Sequence, residues 1–101
     1  MKKSQGLEGK MIITKHLKHR MKERGITQDE VMMTLQNGWD AEDVQEGTIG
    51  KVYVFEYNRY WKDKFYPEKE VSVYFKYEGD TKILITAKAR YGSGFPRGGK
   101  K

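Results

Sequence analysis

The sequence predicts an α+β domain in which two N-terminal helices pack on one face of a small twisted antiparallel sheet of three or four strands. Three observations carry this prediction. Apolar residues recur at helical spacing near the N-terminus, β-branched and aromatic runs fill the second half, and the two halves never alternate in the manner of βαβ units. The chain has 101 residues, enough for one core, and it reads as a single domain over 11–92 between a flexible N-terminus at 1–10 and a flexible basic tail at 93–101.

The first helix is expected from about Ile12 to Arg24. Ile13, Leu17 and Met21 recur at i, i+4 and i+8, the period of one helical face, and Gly25 ends the run. A second helix starts at ITQDEV, where Thr27 and Glu30 have capping-box spacing and Ile26 and Val31 fit the hydrophobic staple around it. Val31, Met32 and Leu35 supply its buried stripe, and Asn37-Gly38 stops it.

After Gly38 the acidic stretch WDAEDVQEG reads as a connection. KVYVFEY from Lys51, EVSVYFKY from Glu70 and KILITAKARY from Lys82 are then three strands. Glu78-Gly79-Asp80 makes a short hairpin turn between the last two. The first two are separated by NRYWKDKFYPEK, read as a long basic and aromatic loop containing Pro67. A fourth short strand is allowed near Thr48 or Ile12.

Composition narrows the function. Twenty Lys/Arg against fourteen Asp/Glu give a net charge of +6, which favours a polyanionic partner. There is no cysteine, so disulfides, thiolate metal sites and thiol nucleophiles are excluded, and a reducing cytoplasmic location fits. No stretch approaches the roughly eighteen apolar residues of a membrane span, and the N-terminal lysines have no apolar run behind them. Asp40, Glu42, Asp43 and Glu46 form the dense acidic group, but no histidine stands beside them. A solvated loop is the better reading than a metal site, and neither metal nor cofactor is expected.

The segment KHLKHRMKERGI, from Lys15 to Ile26, holds five Lys/Arg and both histidines of the chain. With Leu17 at the centre of the buried stripe and about 100° per residue, Arg24 lies within roughly 40° of that centre, and His16 and Arg20 lie roughly 60 to 100° away on one flank. Lys15, Lys18, His19 and Lys22 point further out, as a solvated face or an RNA-attracting one. His16 and Arg20 pair a titratable imidazole with a permanent cation at the margin between helix and sheet. Periodicity alone favours the plainer alternative, a histidine packed against the sheet edge and an arginine paired with Glu23 or a carboxylate elsewhere. In the last strand, alternation sends Thr86, Lys88 and Arg90 to one face and Ile85, Ala87, Ala89 and Tyr91 to the other. Basic residues on the first helix, in the Trp61–Tyr66 segment with Lys62 and Lys64, and at Lys88 make a broad cationic surface with aromatics among them, suited to phosphate binding and base stacking.

The segment ITKHLKHRMKERGITQDEVMMTLQNG, together with KILITAKARYG, resembles the bacterial domain-of-unknown-function family 4258. That family typically opens with a strand, then a His-containing helix with Arg four and eight residues on, and then a Gly-Ile turn into a second helix. The family is similar to small RelE-like and BrnT-like ribonuclease toxins, and YWKDKFYPEKEVSVYFKY also faintly resembles the motility and quorum-sensing regulator toxins.

The resemblance implies metal-independent cleavage of RNA by its own 2′-hydroxyl, by the toxin of a toxin–antitoxin pair with RNA and a cognate antitoxin protein as partners. His16 would be general base or acid, and Arg20 would stabilise the transition state. Arg90 and Tyr91 would serve as a second phosphate clamp and as a proton donor or stacking ring, with Lys88 the runner-up and Arg24 structural. Two other readings remain open. The chain could be a non-catalytic RNA- or DNA-binding module, or an interaction domain for an acidic partner protein.

Overall fold

A computed structural model describes residues 10–98. The expected flexible N-terminus therefore lies, apart from Lys10, outside the described residues, as do residues 99–101 of the tail. Strand β1 (Met11–Ile13) leads into helix α1 (Lys15–Arg24) and helix α2 (Gln28–Asn37). Strands β2 (Trp39–Asp40), β3 (Ile49–Trp61), β4 (Lys64–Glu78) and β5 (Thr81–Gly92) follow. The architecture is α+β, with two helices and a five-stranded mixed sheet in the order β1-β5-β4-β3-β2. Five strands replace the expected three or four, because short strands close both edges. β1 pairs parallel to β5, with Ile12 beside Ile83, and Trp39-Asp40 pairs antiparallel to β3.

The helix ends follow local chemistry. Thr14 caps α1, its hydroxyl accepting from Leu17 N–H and donating to Leu84 C=O at 3.0 Å. The cap is thus also a weld to β5. Ile13, expected on the helix, belongs to β1 and packs against the core from there. Gly25 ends α1 in the left-handed region at φ 70°, where a residue without Cβ carries no steric penalty. At Thr27 both halves of the capping box form, Glu30 N–H to Thr27 Oγ1 at 3.1 Å and Thr27 N–H to Glu30 Oε1 at 3.0 Å. Gly38 ends α2 in extended conformation, so the left-handed cap is not why glycine stands there. A Cβ at Gly38 would lie 2.5 Å from the carbonyl oxygens of both Thr34 and Val52. Glycine lets the helix end run directly into β2 beside β3.

The long loop expected between the first two strands is instead a hairpin arm. β3 continues to Trp61 and β4 begins at Lys64, so only Lys62 and Asp63 turn the chain. Both have positive φ, 50° and 74°, the conformation of a tight hairpin turn that matches strand twist. Pro67 falls where the β3–β4 register shifts, between the pairs Arg59–Tyr66 and Glu56–Glu68, and past the Glu68–Gly92 pair that ends β5. A missing N–H costs no ladder bond at such a place.

Leu17, Ile26, Val31, Val71, Val73, Phe75, Leu84 and Ala87 form one buried cluster. Alternation along β4 sends Lys69, Val71, Val73 and Phe75 into it, yet Ser72 and Tyr74 are buried too. The second face of β4 is covered as well. Ala41 meets Gly50 there, beside the Tyr74 ring, and Asp43 accepts from the Tyr74 hydroxyl at 3.0 Å. The segment 93–98, assigned from sequence to the tail, makes further contacts. Phe95 N–H donates to Glu68 at 3.0 Å, and Arg97 donates to Val54 C=O at 2.8 Å and to Glu68 at 3.0 Å. In β5 the register slips between the Tyr74–Thr86 and Phe75–Leu84 pairs. This bulge at Ile85 puts Leu84 in the core where alternation from Ala87 had placed Ile85.

Candidate functional site

The α1 flank brings His16 and Arg20 together. Arg20 Nε donates to His16 Nε2 at 3.4 Å, and Arg20 Nη1 donates to Glu23 at 2.9 Å. Glu23 also faces His19 at 3.2 Å and Arg24 at 4.0 Å. The Arg20 guanidinium beside Glu23 holds its carboxyl below the ordinary carboxylate value, with His19 and Arg24 adding to this. The pairing of Arg20 with Glu23 that the sequence allowed therefore forms, and it coexists with the His16 contact. His16 is exposed, as are Lys15 and Lys18 on the same helix. In this contact His16 Nε2 stands as the acceptor and Arg20 Nε as the donor.

Tyr91 lies elsewhere. It pairs in register with Lys69, and its hydroxyl donates to Arg24 C=O at the end of α1. Its ring stacks on Trp61, with centroids 5.0 Å apart and planes 7° from parallel. Burial pushes the phenol up, with Tyr57 and Glu30 adding to the shift. A Cβ on Gly25 would run into the Trp61 ring, so glycine also serves close approach here.

Beneath these rings is a residue that the sequence reading missed. Lys69 is 1% exposed, and its ammonium donates to Gly25 C=O at 2.6 Å and to Glu30 Oε1 at 2.7 Å. The Tyr57 and Tyr91 rings stand 5.3 and 5.4 Å from it. A buried ammonium is tolerated only when its donors are matched, and carboxylate, carbonyl and two ring faces do this. The period-two pattern of β4 was the available signal, since Lys69 continues the inward series Val71, Val73, Phe75.

Arg90 and Lys88 lie on the other sheet face. Arg90 pairs with Glu70 across the β4–β5 ladder at 2.8 Å and stands 5.0 Å over the Phe95 ring. Lys88 reaches Asp43 at 2.8 Å and sits 5.2 Å over the Tyr74 ring. Hydrogen bonds from Lys88 and then Tyr74 hold the Asp43 carboxyl below its ordinary value. Lys88 is raised, chiefly by Asp43, and Tyr74 is raised by burial and by its bond to Asp43. Arg90, Glu70, Lys88, Asp43 and Tyr74 line a groove of about 590 Å³ with Pro96. The acidic segment expected to be a solvated loop thus contributes Asp40 to Lys51, at 2.7 Å, and Asp43 to this groove.

Lys62 and Lys64 sit at the hairpin tip, over the Trp61 and Tyr66 rings at 5.3 and 5.8 Å. The nine expected residues therefore occupy four places. His16, Arg20, Lys15 and Lys18 share α1, while Tyr91 lies in the aromatic box. Arg90 and Lys88 share the opposite groove, and Lys62 and Lys64 share the arm.

Among the described residues, no three His, Asp or Glu side chains converge as a metal site would need. No described helix is long and apolar enough to cross a membrane. No curated protein and no solved structure is significantly similar to the chain. One family model does match, over residues 13–88, and it takes in α1 with His16 and Arg20, both helix caps, β3, β4 and most of β5. With well over half its length matched, the chain belongs to the family described as a domain of unknown function, DUF4258.

Proposed function

We propose that the protein is a metal-independent endoribonuclease of the cytoplasm, the toxin of a bacterial toxin–antitoxin pair, with two helices covering one sheet face in the RelE-like or BrnT-like manner. The observation that carries this reading is the exposed His16–Arg20 pair, with Arg20 Nε 3.4 Å from His16 Nε2, on a chain of charge +6. A phosphate entering this flank competes for the guanidinium, and the Nε2 lone pair is released as Arg20 turns to the phosphate. His16 then takes the proton from the RNA 2′-hydroxyl. The 2′-oxygen bonds to phosphorus, the bond from phosphorus to the 5′-oxygen breaks, and water supplies the leaving oxygen with its proton. Arg20 neutralises the charge that builds on the phosphorane. Lys15 and Lys18 draw the backbone in, and an acidic antitoxin would cover the same basic face.

The test is incubation of the purified protein with RNA in EDTA. Expected products carry 2′,3′-cyclic phosphate and 5′-hydroxyl ends. His16→Ala abolishes cutting while RNA affinity stays within about twofold, and Arg20→Ala slows cutting by about 100-fold. RNA bound but uncut between pH 5 and pH 9 would overturn the assignment.

A second reading, a non-catalytic RNA-binding module, is favoured by the engagement of the other expected residues. Arg90 is held by Glu70 and Lys88 by Asp43, and the Tyr91 hydroxyl is held by Arg24 C=O. It predicts salt-steep binding that tolerates His16→Ala.

A further inference from the structure

Past the Glu68–Gly92 pair β5 no longer accompanies β4, and residues from Asn58 to Pro67 continue as a two-stranded ribbon. Such a ribbon is marginal by itself. Here it is anchored through one face, where Trp61 stacks on Tyr91 and Tyr66 lies 5.5 Å from the same ring. Its other face carries Tyr60 and Phe65, which are register partners. Their rings meet edge to face with centroids 5.5 Å apart, and they are 70% and 46% exposed. Two large aromatics displayed side by side at the end of a fixed arm are costly for a surface that contacts only water.

The charge around them is one-sided. Between Asn58 and Phe65 the chain has Arg59, Lys62 and Lys64 against Asp63 alone. Among the described residues these three cations form no ion pair. Each lies over a ring instead, Arg59 over Tyr57 at 5.2 Å, Lys62 over Trp61 and Lys64 over Tyr66. With Asp63 the one acidic residue of this stretch, the arm from Asn58 to Phe65 keeps a net charge of +2.

We propose that the Tyr60–Phe65 face is a stacking platform for single-stranded RNA, with Lys62 at the tip and Arg59 and Lys64, which leave the ribbon from its opposite face, supplying the positive field that attracts the backbone to the arm. Unstacked bases offer π-faces of any sequence to two exposed rings, and the net positive charge of the arm draws in the backbone that carries them. A duplex keeps its bases stacked on one another and has only its backbone to offer. The proposal rests on RNA being the partner, as in the function above, and adds which strandedness is selected and by which residues.

Binding is read by fluorescence anisotropy with 2′-O-methyl oligouridine of about 12 nucleotides, long enough to span the arm. This oligomer lacks the nucleophile that cleavage needs, so a failure of the ribonuclease reading leaves this measurement intact. The wild-type chain should bind it more tightly than a duplex of equal length. Tyr60→Ser with Phe65→Ser should lower affinity about tenfold or more, while Tyr60→Phe, which keeps the ring, stays near wild type. Lys62→Gln with Lys64→Gln should reduce the logarithmic salt slope by about 1.4. Near-UV circular dichroism of Trp61 on Tyr91 checks that the arm remains folded. Unchanged affinity in the Tyr60→Ser, Phe65→Ser variant, preference for the duplex, or a dimer that this variant dissociates would each overturn the platform.

Discussion

Lys69 places its ammonium nitrogen 2.7 Å from a Glu30 carboxylate oxygen, tying the centre of β4 to the first turn of α2. The same Glu30 oxygen accepts from Thr27 N–H, so one carboxylate serves a helix cap and a buried cation. Lys69→Ala should cost about 3–5 kcal/mol, because Glu30 is then left partly buried without its cation. Lys69→Met combined with Glu30→Gln should recover more than half of that loss, since the glutamine oxygen can still cap. Thermal unfolding of the two variants measures it, and equal losses would show that the ion pair is not what the site requires.

Gly25→Ala should destabilise by at least the roughly 1–2 kcal/mol that a left-handed conformation costs an L-residue. The added methyl also meets the Trp61 ring, so near-UV dichroism should change with the melting temperature. A stability loss with unaltered aromatic signal would confine the effect to the backbone.

The tip turn of the arm is not optimised for its own geometry. Lys62 and Asp63 both hold positive φ, which Asn-Gly adopts with least strain. Lys62→Asn with Asp63→Gly should raise stability by about 0.5–1 kcal/mol, read as an increased denaturation midpoint. A decrease would mean that the Lys62–Trp61 contact outweighs turn strain.

Asp43 gives the fold an acid-sensitive link. Its carboxyl titrates below its ordinary value because Lys88 and Tyr74 bond the charged form. The stabilisation is therefore fully present above the unfolded-state value near pH 4 and is lost as pH falls through the lower folded value. Asp43→Asn should flatten the acid limb of a plot of melting temperature against pH, with little change in its shape above pH 5. An acid limb identical to wild type would assign the sensitivity to other carboxylates, Glu23 first.

Much of the helical half was legible because caps are local. Thr27, Glu30 and Gly25 announce their roles within four residues, and the i, i+4 spacing of His16 and Arg20 already placed them together. The sheet was less legible. Lys62-Asp63 lacks the Gly or Asn that marks a tight hairpin, so with Pro67 nearby the arm looked like a loop. Trp39-Asp40 is too short a strand to leave a pattern, and its pairing depends on the room that Gly38 leaves beside Val52. The bulge at Ile85 exchanges which residues of β5 face inward, something only pairing with β4 decides. Lys69 was obscured because a charged residue at an inward position needs a partner 39 positions away. In the candidate site, strict alternation already separates Arg90 from Tyr91, since neighbours on one strand face opposite sides. The two could not have served one centre without a bulge between them.

The cap of α1 has a consequence for how the protein is made. Thr14 is bonded to the carbonyls of Leu84 and Ile85, 70 and 71 positions later, and β1 has its sheet partner in β5. A ribosome finishes the first helix long before the atoms that seat it exist. The start of the helix that carries His16 and Arg20 is therefore seated by the last strand to be synthesised. A chain shortened before Leu84 would lack both the carbonyls that Thr14 bonds and one of the three β1 register partners.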